Sequence, residues 1–244
     1  MINKTALVTG GVGGIGSAIC VELARKGHTV YAAHHPSEES RAQDILKKWH
    51  ADGLAINLVS CDVTNFSSCA AMAQKTGSVD VLVNCAGITR DKTLKKMSEE
   101  EWHAVIDVDL NSLFNVTKQY VDAMTDKGFG RIVNISSVNG KKGQFGQTNY
   151  SAAKAGVHGF TMALAQEVAR KGVTVNSVSP GYVDTQMTKA IPADITSQII
   201  SQIPLGRMAT PEEISYAVGF LCDARAGYVT GVNLSVNGGM FTSF

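Results

Sequence analysis

No apolar stretch in this chain approaches the roughly 18 residues needed to cross a bilayer. The opening segment, MINKTALVTGG, has neither the charged start and long apolar run of a secretory signal nor its small-residue cleavage site. No membrane partner is expected, and the cytoplasm is the expected location. Charge of one sign is also missing. The 22 Lys and Arg stand against 21 Asp and Glu, a net charge of +1 with the signs interspersed, which argues against a dedicated nucleic-acid surface. The five cysteines (Cys20, Cys61, Cys69, Cys85 and Cys222) are odd in number, scattered, and form no CxxC pair. Neither a disulfide framework nor a cysteine-based zinc site is indicated, and reduced thiols acting as small hydrophobes are expected. The six histidines, Trp49 and Trp102 show no metal-ligand spacing, so no metal is expected. Nor does any repeat, low-complexity tract or Pro/Gly/Ser-rich linker divide the chain. With 244 residues, 44% of them hydrophobic, it can bury a large core, and one domain over residues 1–244 is expected.

What is present is an alternation. Short apolar, β-rich runs are predicted as strands at Ala6–Thr9, Thr29–Ala33, Ala55–Ser60, Val79–Asn84, Arg131–Ile135, Val173–Ser179 and Val232–Ser235. Amphipathic stretches between them predict helices at Gly16–Lys26, Arg41–Ala51, Asn65–Lys75, Glu99–Met124, Tyr150–Lys171 and Pro211–Cys222. Continuously apolar strands, each followed by a helix, imply an α/β fold: a buried parallel sheet with helices on both faces.

The first strand runs into TGGVGGIGSAI. Gly11, Gly13 and Gly16 satisfy G-x-G-x-x-G, while Gly10, Gly14 and Gly16 satisfy a wider spacing. Either register places a glycine-rich turn at a helix N-terminus, where missing side chains admit a pyrophosphate and the helix end favours its charge. Tight strand–helix packing alone is the competing explanation. At the end of the second strand, Ala33-His34-His35-Pro36 carries no carboxylate of the kind that holds the ribose of NAD. Ser37, Ser40 and Arg41 follow, and Arg suits phosphate geometry, so NADP(H) is the expected cofactor even with Glu38 and Glu39 beside them. The third and fourth strands end at Cys61-Asp62-Val63 and Asn84-Cys85-Ala86-Gly87, at the edge where a dinucleotide would lie. Asp62 is equally suited to capping the next helix, as is Thr64.

One further stretch carries chemistry. In SVNGKKGQFGQTNYSAAK, Ser137 is followed 13 residues later by Tyr150, and Lys154 comes 4 residues after that. If Tyr150 lies in a helix, Lys154 is one turn along the same face. A phenol has a pKa of about 10 in water, and a nearby ammonium is expected to lower it toward the working range. Ser137, from a neighbouring strand end, would hold a carbonyl oxygen under reduction. An exposed helical ion-pair face is the plain alternative for Tyr-x-x-x-Lys alone.

Taken together, TGGVGGIG, Asp62-Val63, NCAG, Ser137, Tyr150-x-x-x-Lys154, and Pro180-Gly181 with Thr185 span essentially the whole chain and resemble the short-chain dehydrogenase/reductase family. The resemblance implies a Rossmann-type, doubly wound, parallel seven-stranded sheet, a nicotinamide cofactor, and interconversion of a carbonyl and an alcohol. It implies that Tyr150 donates the proton, Ser137 binds the substrate oxygen, and Lys154 acts on the phenol and the nicotinamide ribose. Gly10, Gly13, Gly14, Ile15 and Gly16 would face the pyrophosphate; Asp62, Val63 and Asn84 would meet the cofactor along the sheet edge, with Ala86 and Gly87 close to its ribose. Pro180 and Gly181 would also meet the cofactor, and Thr185 and the backbone near Val183 would hold its carboxamide. Within the family, CAGITRDKTLKKM, GQFGQTNYSAAKAG and VNSVSPGY resemble the acetoacetyl-CoA reductases of polyhydroxybutyrate synthesis and the related 3-oxoacyl-[acyl-carrier-protein] reductases. GQFGQTNY and Tyr182 favour the CoA-linked group, whose resemblance implies an acyl pocket lined by Gln144, Phe145, Gln147 and Tyr182, with Asp91 and Lys96 opposite. It also implies a homotetramer.

The chain departs from the family at one place. Asp109, in IDVDL, stands where an asparagine is usual, and Asn111 lies two residues on, on another helical face. Asp109 is expected to join the proton relay beside Lys154 through its main chain, and its charge to favour protonated Lys154. The basic residues Arg90, Lys92, Lys95 and Lys96 suit the phosphates of CoA or an acidic carrier protein equally. A nucleotide-binding sensor without turnover is a further alternative, resting on Asp109 alone.

Overall fold

The apolar runs form a single parallel sheet because consecutive side chains of each strand feed two different helical layers. In the computed structural model, which describes residues 4–189 and 193–242, the strands are β1 (Thr5–Thr9), β2 (Thr29–His34), β3 (Ile56–Ser60), β4 (Val81–Asn84), β5 (Gly130–Ile135), β6 (Val173–Pro180) and β7 (Asn233–Val236). All pair in parallel, in the order β3-β2-β1-β4-β5-β6-β7. On β1, Ala6 and Val8 pack with Ile19, Leu23, Ile214 and Val218 on one face, while Leu7 packs with Leu82, Val116 and Tyr120 on the other. Every residue of β4, β5 and β6 is buried, and the outer strands β3 and β7 are partly exposed. This is the Rossmann-type arrangement expected, with each strand within two residues of its predicted start.

The helices are α1 (Gly14–Arg25), α2 (Glu39–Ala51), α3 (Phe66–Thr76), α4 (Glu99–Ile106), α5 (Ser112–Thr117), α6 (Val121–Lys127), α7 (Asn139–Lys142), α8 (Thr148–Val168), α9 (Gln186–Lys189), α10 (Ala193–Ser201) and α11 (Pro211–Leu221). The register Leu7↔Tyr31 and Leu7↔Leu82 places β1 between β2 and β4, so the connections leaving β1 and β4 go to opposite faces. A crevice opens between them at the carboxyl ends of the strands, the position where open α/β sheets take ligands.

One predicted helix requires correction. Glu99–Met124 is not continuous. It begins as α4, with a capping box between Ser98 and Glu101, and widens into a π-helical turn over Asp107–Asn111. It then resumes as α5 and breaks at Lys118–Tyr120 before α6. Tertiary anchors set the breaks: the Ile88 N–H donates to Asp109 Oδ1 at 2.8 Å, and the buried Tyr120 hydroxyl bonds Thr76 Oγ1 at 3.0 Å. The helical periodicity of the segment conceals both. The π turn meets α8 closely, since a Cβ on Gly156 would lie 2.9 Å from Leu110 Cδ1. The short helices α7, α9 and α10 went unpredicted because each lacks the length needed to show a periodic face or lies in a segment of mixed polarity.

Candidate active site

The crevice is a cleft of about 990 Å³ running from the β2–α2 connection across β1 and β4 to the start of α8. Its centre is the glycine turn. Gly10 has φ +63°, in the left-handed region that favours glycine, and a Cβ on Gly16 would lie 2.2 Å from the Gly10 carbonyl oxygen. A Cβ on Gly14 would lie 2.7 Å from Thr185 Cγ2. Gly13 caps α1 with no side-chain hydrogen bond, so the first N–H groups of the helix face the cleft uncapped. These are the features a pyrophosphate needs: backbone donors, a positive helix end and no side chain in the way. The residues present fit a dinucleotide.

At one end of the cleft, His35 Nδ1 and Ser37 Oγ are 2.7 Å apart, and Arg41 donates to Val12 O at 2.9 Å and Glu38 Oε1 at 3.2 Å. His35 was not singled out from the sequence; its place two residues before Ser37 was the available signal. Asp62 does not cap α3. Its Oδ1 accepts from the Thr64 N–H at 3.0 Å and hydroxyl at 2.7 Å, and the cap is Asn65, which accepts from the Ser68 N–H.

At the other end, α8 carries Tyr150 and Lys154 on one face, with Lys154 Nζ 5.5 Å from the Tyr150 ring centroid. The stripe Ala153, Val157, Thr161, Ala165 and Val168 buries against the sheet and fixes that face toward β5. Lys154 Nζ donates to Ile135 O at 3.1 Å and lies 3.1 Å from Asp109 Oδ2. Gly87 leaves room for this pair, since a Cβ there would lie 3.1 Å from Asp109 Oδ2 and 3.3 Å from Lys154 Nζ. Ser137 Oγ accepts from the Asn139 N–H at 3.1 Å. The Asn139 amide donates to Gln147 Oε1 at 2.9 Å, and Gln147 donates to Asp91 Oδ2 at 2.7 Å. Asn139, like His35, was missed from the sequence; it stands two residues after the serine.

The electrostatics differ from expectation at Tyr150. Burial of its hydroxyl end raises the phenol above its usual value; Lys154 pulls it down and Asp109 pushes it further up. Desolvation is larger than the attraction of the ammonium, so the net direction is upward rather than the lowering expected from Lys154. Burial works against the charge on Lys154, but Asp109 and Tyr150 outweigh it and hold the ammonium above its ordinary value. Burial likewise pushes Asp109 up, with Lys154 and the Ile88 amide opposing. At neutral pH Lys154 is charged, and Tyr150 is a protonated phenol.

Gly10, Gly13, Gly14, Ile15, Gly16, Ser37, Arg41, Asp62, Val63, Ala86, Gly87, Pro180, Gly181, Val183 and Thr185 all line the cleft, as do Ser137, Tyr150, Lys154, Asp91, Gln144, Phe145, Gln147 and Tyr182. Asn84, Lys96 and Asp109 do not, and neither do Gly11 and Ser40. The Asn84 side chain is buried, donating to Asn134 Oδ1 at 2.8 Å and Thr117 Oγ1 at 3.2 Å, because it ties adjacent strands to α5. Lys96 is exposed on the turn Leu94–Lys96, away from the wall. Asp109 lies behind Lys154, fully buried, and meets it by its side chain rather than its main chain. Asn111 is on another face, donating to Asp107 Oδ1. Lys92, from the basic cluster, pairs with Glu101 at 2.7 Å. Ile195 and Ile199 of α10 complete the cleft wall, unsignalled by any motif.

The chain is 58% identical over 242 residues to the acetoacetyl-CoA reductase of Allochromatium vinosum, covering 98% of each chain. It is 52% identical over 244 residues to the acetoacetyl-CoA reductase of Cupriavidus necator, covering 98% of this chain and 99% of that one. It is also 45% identical over 245 residues to the 3-oxoacyl-[acyl-carrier-protein] reductase of Pseudomonas aeruginosa, covering 99% and 98%. The short chain dehydrogenase family model matches residues 4–196, which contain the glycine turn, Ser137, Tyr150 and Lys154, and the chain belongs to that family.

Proposed function

We propose that the protein reduces acetoacetyl-CoA to (R)-3-hydroxybutyryl-CoA with NADPH, the reduction that feeds polyhydroxybutyrate synthesis. The observation that carries this reading is the meeting of Ser137, Tyr150 and Lys154 at one end of a dinucleotide-sized cleft, beside a second wall of Gln144, Phe145, Gln147 and Tyr182. Full-length similarity to two acetoacetyl-CoA reductases supports the CoA thioester as substrate.

The nicotinamide, when bound, supplies the hydride to the 3-keto carbon. The uncapped N-terminus of α1 and the turn Gly10–Gly16 would hold the pyrophosphate, and Ser37, Arg41 and His35 the 2′-phosphate that distinguishes NADP. Asp62 and Val63 would flank the adenine, Ala86 and Gly87 the ribose, and Pro180, Gly181, Val183 and Thr185 the carboxamide. The Asn139 N–H occupies a lone pair of Ser137 Oγ, which leaves the serine proton free to point at the substrate carbonyl oxygen. Tyr150, kept protonated by its desolvated surroundings, donates its proton to that oxygen as charge develops there. The phenolate left behind is opposed by the Lys154 ammonium, whose own charge Asp109 maintains. Gln147, held between Asn139 and Asp91, fixes the wall against which a short acyl chain would lie.

The whole chain acts as one domain in this reading, with cofactor and substrate sites sharing the sheet edge. A homotetramer accounts for two exposed apolar surfaces: the stacked Phe66 and Phe114 rings, and Tyr216 and Phe220 one turn apart on α11. A cytoplasmic location accords with five free thiols, and among the described residues no helix is long and apolar enough to cross a membrane.

Initial rates of NADPH oxidation with acetoacetyl-CoA and with acetoacetyl-carrier protein test the proposal. Higher kcat/KM with the CoA thioester supports it; the reverse order would move the protein to the carrier-protein reductases. Cofactor binding without turnover of either would leave a nucleotide sensor.

A further inference from the structure

Two cysteines outside the proton-transfer site stand together at the nucleotide end of the cleft. Cys61 follows β3 and lines the cleft wall with 3% of its surface exposed; Cys69 lies behind it in the first turn of α3 with none exposed. Their sulfur atoms are 3.8 Å apart. Ser68 joins them, donating toward Cys61 Sγ at 3.7 Å and accepting from the Asp62 N–H at 3.0 Å. Cys69 Sγ also lies 3.7 Å from the carbonyl oxygen of Val63. The pair therefore encloses Asp62 and Val63, the segment proposed above to flank the adenine. Cys85 also lines the cleft, and its thiol interacts with Cys20 rather than with this pair.

We propose that Cys61 and Cys69 form a peroxide-sensitive dithiol whose oxidation to a disulfide distorts the Asp62–Val63 segment and weakens nucleotide binding. Cys61, on the wall, is the thiol a small oxidant reaches first. Its sulfur attacks one peroxide oxygen, the O–O bond breaks, and a sulfenic acid and one water result. Cys69 sulfur then attacks the sulfenic sulfur, the S–O bond breaks, and a second water leaves. The two thiols lose two electrons and two protons, and the peroxide is reduced to two waters. Contraction of the sulfur separation from 3.8 Å to about 2.05 Å has to be absorbed by the strand end or by the first turn of α3. Both carry the Asp62–Val63 connection. Hydrogen bonding with Cys69 and from Ser68 lowers the Cys61 thiol below its usual value, the same contact with Cys61 and then burial raise Cys69, and burial pushes Cys85 up to about 12. This order agrees with Cys61 as the attacking sulfur. Reducing cytoplasm would make the bond transient.

The functional half of the inference rests on the dinucleotide reading, and the test separates the two. Purified protein is treated with hydrogen peroxide and mapped by mass spectrometry, and NADPH affinity is measured by fluorescence titration before and after. The expected results are a linked Cys61–Cys69 peptide, affinity weakened about tenfold or more, and recovery on adding dithiothreitol. Cys69→Ser and Cys69→Ala should each lose the oxidation-dependent change relative to their own reduced forms, while Cys85→Ser keeps it. No linked peptide at peroxide levels that weaken binding, or an equal weakening in both Cys69 variants, overturns the proposal. A linked peptide with unchanged affinity also overturns it. If the reduced protein fails to bind NADPH at all, the nucleotide reading fails, and peptide mapping still decides whether the disulfide forms.

Discussion

Asp109 Oδ2 lies 3.1 Å from Lys154 Nζ, with the two side chains 0% and 5% exposed. The contact joins the π turn to the catalytic helix, so the lysine that faces the phenol is held from behind by a buried carboxylate. Removing one partner of such a pair, with every polar atom it offers, leaves the other charge buried without a contact, at a cost of about 3–5 kcal/mol. Asp109→Leu should lose about that much stability in urea unfolding at pH 7, and Asp109→Asn, which keeps the shape and an acceptor for Ile88, clearly less.

The same pair sets pH dependence. Lys154 is raised above its ordinary value, so its contribution to stability is complete below the unfolded lysine value of about 10.4 and is lost as pH rises through the folded one. Asp109→Asn removes that elevation, and its stability should decline relative to wild type less steeply above the unfolded value. Asp109 also raises Tyr150. In the alcohol-oxidising direction, where the phenolate accepts the proton, the Asp109→Asn rate profile should rise at lower pH than wild type, with reduction at pH 7 preserved or increased. A large loss of reduction at pH 7 would give the carboxylate a role beyond holding Lys154.

Tyr150→Phe keeps the ring and removes the hydroxyl proposed to donate the proton. Turnover should fall by about 10²–10⁴-fold, the usual contribution of a positioned acid. NADPH affinity, measured by fluorescence titration, should stay within a small factor of wild type. Comparable turnover in the variant would place the proton source elsewhere.

Two glycines of the cofactor turn should respond differently. A Cβ on Gly16 meets the Gly10 carbonyl oxygen at 2.2 Å, a backbone atom that cannot rotate away, whereas a Cβ on Gly13 approaches the same atom only to 3.2 Å. Gly16→Ala should therefore destabilise the protein without cofactor by about 1–3 kcal/mol, with Gly13→Ala much milder. Thermal unfolding of both variants without NADPH makes the comparison.

Arg41→Ala tests cofactor choice. Loss of a charged hydrogen bond to a 2′-phosphate, worth about 1.5–3 kcal/mol, should raise the KM for NADPH about tenfold or more. The KM for NADH should hardly change. Equal effects on both cofactors would mean that Arg41 acts only through its bonds to Val12 and Glu38.

The seven strands and the glycine turn were legible in the sequence because their causes are local. Continuous apolar runs such as Val81–Asn84 admit only buried strands in an alternating chain, and a glycine cluster at the first strand end admits a close-approaching ligand. Ser137, Tyr150 and Lys154 were legible by spacing, since one helical turn puts the last two on a common face. Tertiary structure alone decided what those residues experience. The π turn that aims Asp109 at Lys154 depends on an amide donated by Ile88, 21 residues earlier in the chain. The upward shift of Tyr150 depends on how much water the folded cleft excludes. Asn84 carries a motif's identity, yet its amide ties the sheet to α5. Cys61 and Cys69 looked like scattered hydrophobes, and only the turn from β3 into α3 sets their sulfurs in contact. Spacing along the chain fixes which face a side chain takes; desolvation and partners from distant segments fix its charge, and these exist only once the segments have packed.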